Sequence, residues 1–179
     1  MAEAERLQAD VIILGRSGRT GLNRLLMGSV TARVIGHSPI NVLVIPRGTS
    51  LGLARLLVGS DGSLYSAAAF REALALAGAG EVKLLAVAAA REEGEILEAR
   101  SLLDQLLAWA NQEGLALQGI APEGAQPDDA IVQVALRNSV DLIIVGSHGR
   151  TGLKRLLMGS VTERVIGQTP CPVLVVKKR

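Results

Sequence analysis

Two stretches of the chain carry nearly the same sequence. Residues 10–46 read DVIILGRSGRTGLNRLLMGSVTARVIGHSPINVLVIP and residues 141–177 read DLIIVGSHGRTGLKRLLMGSVTERVIGQTPCPVLVVK, with 25 of 37 positions identical at a constant offset of 131 residues. Each copy predicts an apolar strand, a glycine-rich loop, a helix that begins near a Gly-Ser pair, and a second apolar strand. The repeat indicates a duplicated domain, because solenoid units recur at about 20–50 residues.

The sequence before each copy differs in length. About 90 residues of alternating strand and helix pattern precede the second copy, whereas nine residues precede the first. A chain of 179 residues holds one α/β domain of ordinary size and part of another. We therefore expect residues 1–48 to be the C-terminal remnant of a first domain, residues 49–52 to be a linker, and residues 53–179 to be a complete domain.

Composition excludes several classes of protein. Hydrophobic residues make up 49% of the chain and charged residues 20%, which is typical of a globular protein and not of a disordered one. A balance of 19 basic and 17 acidic residues gives no sign of a nucleic-acid partner. The apolar runs are strand-sized and the start lacks signal-peptide features, so we expect a cytoplasmic protein without a membrane segment. We interpret Lys177–Arg179 as a solvated tail.

The complete domain alternates strands and helices. Predicted strands are residues 56–58, 82–87, 115–120, 142–145 and 173–176, and predicted helices are residues 66–79, 93–112, 130–137 and 161–166. The long second helix is expected to bury Ile96, Leu97, Leu102, Leu103, Leu106 and Leu107. This order predicts an α/β fold with a doubly wound, five-stranded parallel sheet, joined to a strand–helix–strand remnant of the second copy.

The glycine-rich loop suggests a phosphate site. Gly146, Gly149 and Gly159 follow a buried strand, and glycine lets a backbone approach a phosphate closely. Backbone N–H groups at the start of the next helix favour anions, and Ser160 and Thr162 add hydroxyl groups there. Neither a Walker A loop nor the GxGxxG fingerprint is present. The first copy keeps the same spacing at Gly15, Gly18, Gly28 and Ser29.

The spacing Gly-x2-Gly-x9-Gly-Ser resembles the ATP-binding signature of the universal stress protein family. The resemblance covers residues 53–179, and LLVGSDGSLYS at residues 56–66 is similar to the family's opening strand and loop, although Gly59 stands where proline is common. It implies an adenine nucleotide alpha hydrolase-like fold. It also implies that Asp61 contacts ribose or metal, that Val87 or its neighbour contacts the base, and that the loop with Ser160, Val161 and Thr162 carries the phosphates.

Two residues of the loop have competing interpretations. His148 could act as a general acid or accept a phosphate, but the first copy has Ser17 in its place, which favours an exposed loop residue. Arg150, repeated as Arg19, could bind phosphate or pair with a helix. The predicted nucleotide site comprises Asp61, Val87, Gly146, His148, Gly149, Arg150, Gly159, Ser160, Val161 and Thr162.

The function implied by the resemblance is an ATP-binding stress-response or signalling module, with Mg²⁺ held through the nucleotide if at all. No set of residues for efficient phosphoryl transfer is evident, so slow hydrolysis or none is expected. Two alternatives stay open. One is a nucleotide-free dimerisation scaffold. The other is an adenylating enzyme similar to ATP pyrophosphatases, whose phosphate loop is faintly similar to residues 60–63.

The remnant is expected to hold half a site, since it has no counterpart of Asp61 or of the adenine strand. In the family, last strands pair antiparallel, which implies that Val42–Ile45 pairs with Val173–Val176. Val11–Leu14 would then have an open edge, and open edges invite pairing with another chain. We therefore expect a homo-oligomer that covers this edge.

Overall fold

The computed structural model describes residues 2–16, 27–150 and 158–178. The strands are β1 (Val11–Gly15), β2 (Asn41–Ile45), β3 (Arg55–Gly59), β4 (Lys83–Val87), β5 (Leu117–Ile120), β6 (Leu142–Gly146) and β7 (Val173–Val176). The helices are α1 (Ala2–Arg6), α2 (Ser29–His37), α3 (Leu64–Ala77), α4 (Ile96–Gln112), α5 (Pro127–Arg137) and α6 (Ser160–Gln168), and a 3₁₀ turn at Glu93–Glu95 precedes α4. Within these ranges, no helix has both the length and the apolar character that crossing a bilayer requires.

The described strands form one sheet in the order β1-β2-β7-β6-β3-β4-β5. Strands β3 to β7 are mutually parallel, with β3 in the middle between β4 and β6. Helices α3 and α4 pack on one face of the sheet, and α5 and α6 on the other. The predicted doubly wound α/β fold is confirmed, and its crossovers diverge to opposite faces between β3 and β6.

Local chemistry explains where the helices begin. Ser63 caps α3 by accepting a hydrogen bond from the N–H of Ser66 at 3.1 Å, so the helix begins two residues before the predicted Ser66. Pro127 occupies the first turn of α5, where a missing N–H costs nothing. The prediction that Leu97 is buried is wrong, because its side chain is 78% exposed and Ala99 takes the inward position.

The sequence repeat is also a repeat of hydrogen bonds. The hydroxyl of Thr31 donates to the carbonyl of Gly15 at 2.9 Å, and that of Thr162 donates to the carbonyl of Gly146 at 2.8 Å. The N–H of Gly28 and the N–H of Gly159 each donate at 2.9 Å to the carbonyl that lies 12 residues earlier in the chain. The two loops therefore start and end with the same backbone geometry.

The repeat begins earlier than Asp10, the first residue of the sequence match. Gln8 and Ser139, which are 131 positions apart, have positive φ angles of 51° and 50°. The N–H of Leu7 donates to Glu3 at 3.0 Å, as Asn138 does to Val134 at 3.1 Å. Helix α1 is thus the counterpart of the last turns of α5.

The two copies join through an antiparallel pair of strands. Val42 pairs with Val175, Leu43 with Leu174 and Val44 with Val173. Since Leu43 and Leu174 are equivalent positions of the repeat, the register has local two-fold symmetry. The predicted pairing of the two last strands is confirmed.

Basic side chains reinforce this junction from both sides. The guanidinium of Arg16 donates to the carbonyl of Thr169 at 2.8 Å, just beyond the end of α6. The ammonium of Lys177 donates to the carbonyl of Ile35 in α2, and its backbone N–H donates to Asn41 Oδ1 at 3.0 Å. Cations near helix C-termini are favourable because of the exposed carbonyls there.

The prediction of a solvated tail is wrong for Lys177. Its residue is only 8% exposed, whereas Lys178 is exposed and Arg179 lies outside the described residues. Burial lowers the pKa of the Lys177 ammonium below its ordinary value of 10.5.

The buried ammonium makes stability depend on alkaline pH. Between the lowered folded pKa and 10.5 the unfolded chain binds more protons than the folded chain, so this residue's contribution to the free energy of unfolding rises with pH in that window. We expect the difference in stability between the wild type and Lys177→Met to shift in favour of the wild type as pH increases, measured by urea unfolding. A difference that stays constant with pH would contradict this assignment, and Lys178→Met serves as the exposed control.

Candidate functional site

A cavity of about 410 Å³ opens at the carboxyl ends of β3, β4 and β6. This is where open α/β sheets place ligands, since crossovers leave the sheet in opposite directions there. The predicted residues that line it are Asp61, Gly146, His148, Gly149, Arg150, Gly159, Ser160, Val161 and Thr162. Of the predicted site residues, Val87 is the one that does not line the cavity.

Asp61 links the loop after β3 to the loop after β6. Its Oδ1 accepts a hydrogen bond from the N–H of Ser63 at 3.0 Å, and its Oδ2 accepts one from the N–H of Arg150 at 2.9 Å. Burial raises the pKa of the Asp61 carboxyl, but hydrogen bonds from Ser63, Ser66 and Arg150 together outweigh it and leave the pKa below its ordinary value. The carboxylate is therefore ionised at neutral pH.

Glycine is required at two points of the loop for space. A Cβ on Gly149 would lie 2.7 Å from Asp61 Oδ2, and a Cβ on Gly146 would lie 2.7 Å from the backbone carbon of Tyr65. A Cβ on Gly159 would lie 3.3 Å from the Cα of His148. These close approaches hold the loop against the Asp61 carboxylate and against the backbone of Tyr65 in α3.

His148 is half-buried at the cavity wall. Its Nδ1 lies 3.2 Å from the hydroxyl of Ser147, which is buried, and its ring centroid lies 5.1 Å from that of Tyr65 in a tilted arrangement. The ring contact with Tyr65 could not be predicted from sequence patterns, because the two residues are 83 positions apart. The packed ring forms part of the wall, in contrast to the predicted exposed loop residue.

Arg150 lines one side of the cavity and forms an ion pair with a residue of α4. Its Nη2 lies 2.7 Å from Glu98 Oε1, and its Nε donates to the carbonyl of Asp61. The prediction left a choice between phosphate binding and pairing with a helix, and the structure contains the helix pairing. Both side chains are more than half exposed, so the ion pair itself adds little stability.

Two further arginines line the cavity and are paired with carboxylates. Arg91 Nη2 lies 3.1 Å from Glu95 Oε1, and Arg164 Nε lies 3.0 Å from Asp128 Oδ2. Asp128 is 3% exposed, and its Oδ1 has no hydrogen-bond partner within the described residues. Sequence reasoning missed Arg164 and Glu98, because a charged residue on a helix gives no sign of which charge will face it.

Val87 lies beside the cavity but not in it. Its carbonyl accepts a hydrogen bond from the N–H of Ser60 at 2.9 Å, and its side chain is buried in the core. The next two residues, Ala88 and Ala89, line the cavity. Gln126, Pro127 and Ile131 also line the cavity. The segment that follows the carboxyl end of β4 therefore contributes Ala88 and Ala89 to the cavity wall.

The first copy keeps only part of this arrangement. Gly28 precedes α2 with φ −65° and ψ 145°, which matches Gly159 before α6 with φ −66° and ψ 141°. Val30 is 70% exposed, whereas its equivalent Val161 lines the cavity. Ser17, Gly18 and Arg19 lie outside the described residues. The half-site remains a prediction.

The site as a whole is suited to binding an anion next to a carboxylate. Backbone N–H groups at the start of α6 carry partial positive charge, and Ser160 and Thr162 stand beside them. Thr162 uses its hydroxyl proton for Gly146 and so fixes the end of β6 to the helix. Among the described residues, no group of three or more His, Cys, Asp or Glu side chains is arranged to hold a metal ion.

Comparisons with known proteins agree on one family. The sequence profile of the Universal stress protein family matches residues 1–46 and 53–177. Universal stress protein Rv2005c of Mycobacterium tuberculosis is 30% identical over 96% of this chain and 63% of its own length. The chain thus spans less than two thirds of this curated relative.

Solved structures show the same fold. A universal stress protein from Archaeoglobus fulgidus superposes with a TM-score of 0.80 at 23% identity, over 99% of this chain and 65% of its own. A universal stress protein in complex with cAMP superposes with a TM-score of 0.60 at 26% identity, over 71% of this chain and all of its own, 100%. The first superposition covers nearly the whole of this chain, and the second covers the whole of the relative.

The close approach at Gly149 can be tested by stability. Gly149→Ala must displace the Asp61 carboxylate, so we expect the free energy of unfolding to fall by about 1–2 kcal/mol as hydrogen bonds are lost. Gly80→Ala is the matched control, because nothing lies within 4 Å of a Cβ at that position. Urea unfolding of both variants measures the difference. Equal stabilities would show that the loop and Asp61 are not in contact.

Proposed function

Because the chain belongs to the universal stress protein family, we propose that it binds ATP and acts as a nucleotide-dependent stress-response or signalling module. The observation that carries this proposal is the cavity at the ends of β3, β4 and β6, which is framed by the glycine loop and Asp61. Its volume of about 410 Å³ falls within the range of roughly 300–1,000 Å³ that small-molecule pockets occupy.

The phosphates are assigned to the glycine loop and the start of α6. Gly149 and Gly159 let the loop backbone pack closely at this end of the cavity, and Ser160 stands at the first position of the helix. Val161 and Thr162 complete this end of the cavity. Arg150 and Arg164 also line the cavity and would supply positive charge near a polyphosphate.

The ribose and base are assigned to the other half of the cavity. Asp61 is ionised and accepts hydrogen bonds, so it can also accept from ribose hydroxyl groups. The same carboxylate would be available to coordinate Mg²⁺ bound to the phosphates. The adenine ring is assigned to the part of the cavity lined by Ala88, Ala89 and Ile131, which are small or apolar. The relative in complex with cAMP supports an adenine nucleotide as the ligand class.

Binding would couple to α4 through Arg150. A phosphate that takes the guanidinium must compete with Glu98, whose carboxylate now lies 2.7 Å away. Occupation of the site would therefore change the contact between the loop and α4, and with it the surface that a partner contacts. Nucleotide binding would in this way be transmitted to a partner protein through the contact between Arg150 and α4.

A nucleotide-free scaffold is the second candidate, favoured by the symmetric junction of β2 and β7. In that junction the backbones of the two copies pair directly with each other. The homo-oligomer and the cytoplasmic location stay predictions from the sequence.

Equilibrium binding separates the two candidates. We expect calorimetric titration with ATP, ADP and AMP to show saturable binding to the wild type, and Gly159→Val to weaken it by about tenfold or more, since a branched side chain would press on His148 at the phosphate position. Gly28→Val is the matched control, because it places the same change at the equivalent turn of the first copy, away from Asp61. It should bind as the wild type does. No binding of any nucleotide to the wild type would favour the scaffold.

Turnover should be slow even when ATP binds. The Asp61 carboxylate is already engaged by two backbone N–H groups, and the described residues contain no cluster of acidic or histidine side chains for metal-assisted phosphoryl transfer, so we expect phosphate release well below about 1 s⁻¹, the lower end of typical enzyme rates. Release of phosphate and of pyrophosphate with AMP are measured in parallel. Stoichiometric AMP and pyrophosphate would instead indicate an adenylating enzyme.

A further inference from the structure

Strand β1 ends the described sheet on one side. It pairs with β2, and within the described residues no strand lies on its other edge. The side chains of Val11 and Ile13 are 38% and 59% exposed on one face of this strand. An exposed apolar strand at a sheet edge is a ready place for another polypeptide to pair.

The second copy shows how the equivalent edge is covered. Strand β6 is the equivalent of β1, and its outer edge is paired in parallel with β3. Asp141 holds the start of β3 in two ways, because its carboxylate accepts from the N–H of Arg55 at 2.8 Å and its own N–H donates to the Arg55 carbonyl at 2.9 Å. The first copy has the same residue type, Asp10, in this position.

The exposed face of β1 corresponds to a face that α3 covers. Leu142 and Ile144, the equivalents of Val11 and Ile13, are 2% and 0% exposed and belong to the core cluster that contains Phe70 of α3. The first copy therefore presents two apolar residues where the second copy buries two under a helix.

Gly15 adds a third correspondence. Its equivalent Gly146 lies so close to α3 that a Cβ would come within 2.8 Å of Tyr65 backbone and side-chain atoms. Gly15 is exposed at the end of β1, where the described residues include no such helix. The first copy thus retains the side-chain-free position that allows a helix to pass.

We propose that the outer edge and exposed face of β1 bind a strand–loop–helix unit of a partner polypeptide, in the way that β3 and α3 cover β6. The partner strand would run parallel to β1 with its first N–H on Asp10. Its helix would lie over Val11 and Ile13 and pass Gly15. The partner is the opening unit of another domain of this fold.

A second copy of this chain fits the surface less well. Its own β3 is hydrogen-bonded on both edges, to β4 and to β6, and cannot be lent without breaking its sheet. Two β1 edges could pair with each other, but that would provide no helix for the face of Val11 and Ile13. The predicted homo-oligomer is therefore the alternative outcome of the test.

The test uses the full chain and a fluorescent synthetic peptide with the sequence of residues 54–79, which contains the strand and helix that cover β6. We expect saturable binding by fluorescence anisotropy and protection of the β1 amides from hydrogen exchange. Ile13→Lys and Gly15→Val should each weaken binding by about tenfold or more, because one places a charge and the other a side chain in the buried contact. Leu97→Lys, on an apolar residue of α4 that is even more exposed than Ile13, should bind as the wild type does.

Three results would overturn the proposal. One is the absence of saturable binding at a peptide concentration of about 1 mM. Another is binding that Ile13→Lys and Gly15→Val leave unchanged. The last is light scattering that shows a dimer of the wild type and a monomer of Ile13→Lys, since a second copy would then be the occupant. ATP titration of the same variants is independent of these outcomes.

Discussion

The hydrogen bond between the Asp61 carboxylate and the N–H of Arg150 holds the site together. It crosses the point where β3 and β6 send their crossovers to opposite faces of the sheet, so it ties two loops that the fold would otherwise separate. The short distance leaves no room for a side chain at Gly149. The lowered pKa of Asp61 follows from the same contacts, because the hydrogen bonds favour the ionised form more than burial disfavours it.

At the junction between the copies, the backbone pairing is symmetric but the side-chain contacts around it are not. The register around Leu43 and Leu174 is two-fold symmetric. The cations that cap the helices are not equivalent, since Arg16 corresponds to Ser147 and Lys177 corresponds to Pro46. Main-chain pairing sets the geometry, and each half then satisfies exposed helix carbonyls with whichever basic residue lies in reach.

The sequence was sufficient to predict the helices and strands, but not the contacts between residues that are distant in the chain. The spacing of apolar residues, with glycine and proline at the ends of the elements, predicted the strands and the doubly wound sheet, because those signals are local in the sequence. The resemblance to the family, applied to the last strands of the two copies, predicted the β2–β7 pair. Lys177 was misjudged because the residues that bury it lie more than 130 positions away in the chain. The resemblance put the base contact at Val87 or its neighbour, and the neighbour Ala88 lines the cavity, because the point where β4 leaves the sheet is not visible in the sequence.

Nearly identical loops in the two copies have different surroundings, and this difference decides what each can do. Val161 lines a cavity whose other walls come from β3, β4, α4 and α5, while Val30 faces solvent in the same backbone setting. A helix start offers an anion partial charges, but affinity for a nucleotide also needs a wall for the base and an acceptor for the ribose. Those walls come from the β3 and α3 side of β6, which is the side that β1 leaves open. Covering the edge of β1 and completing the first site are therefore the same structural requirement.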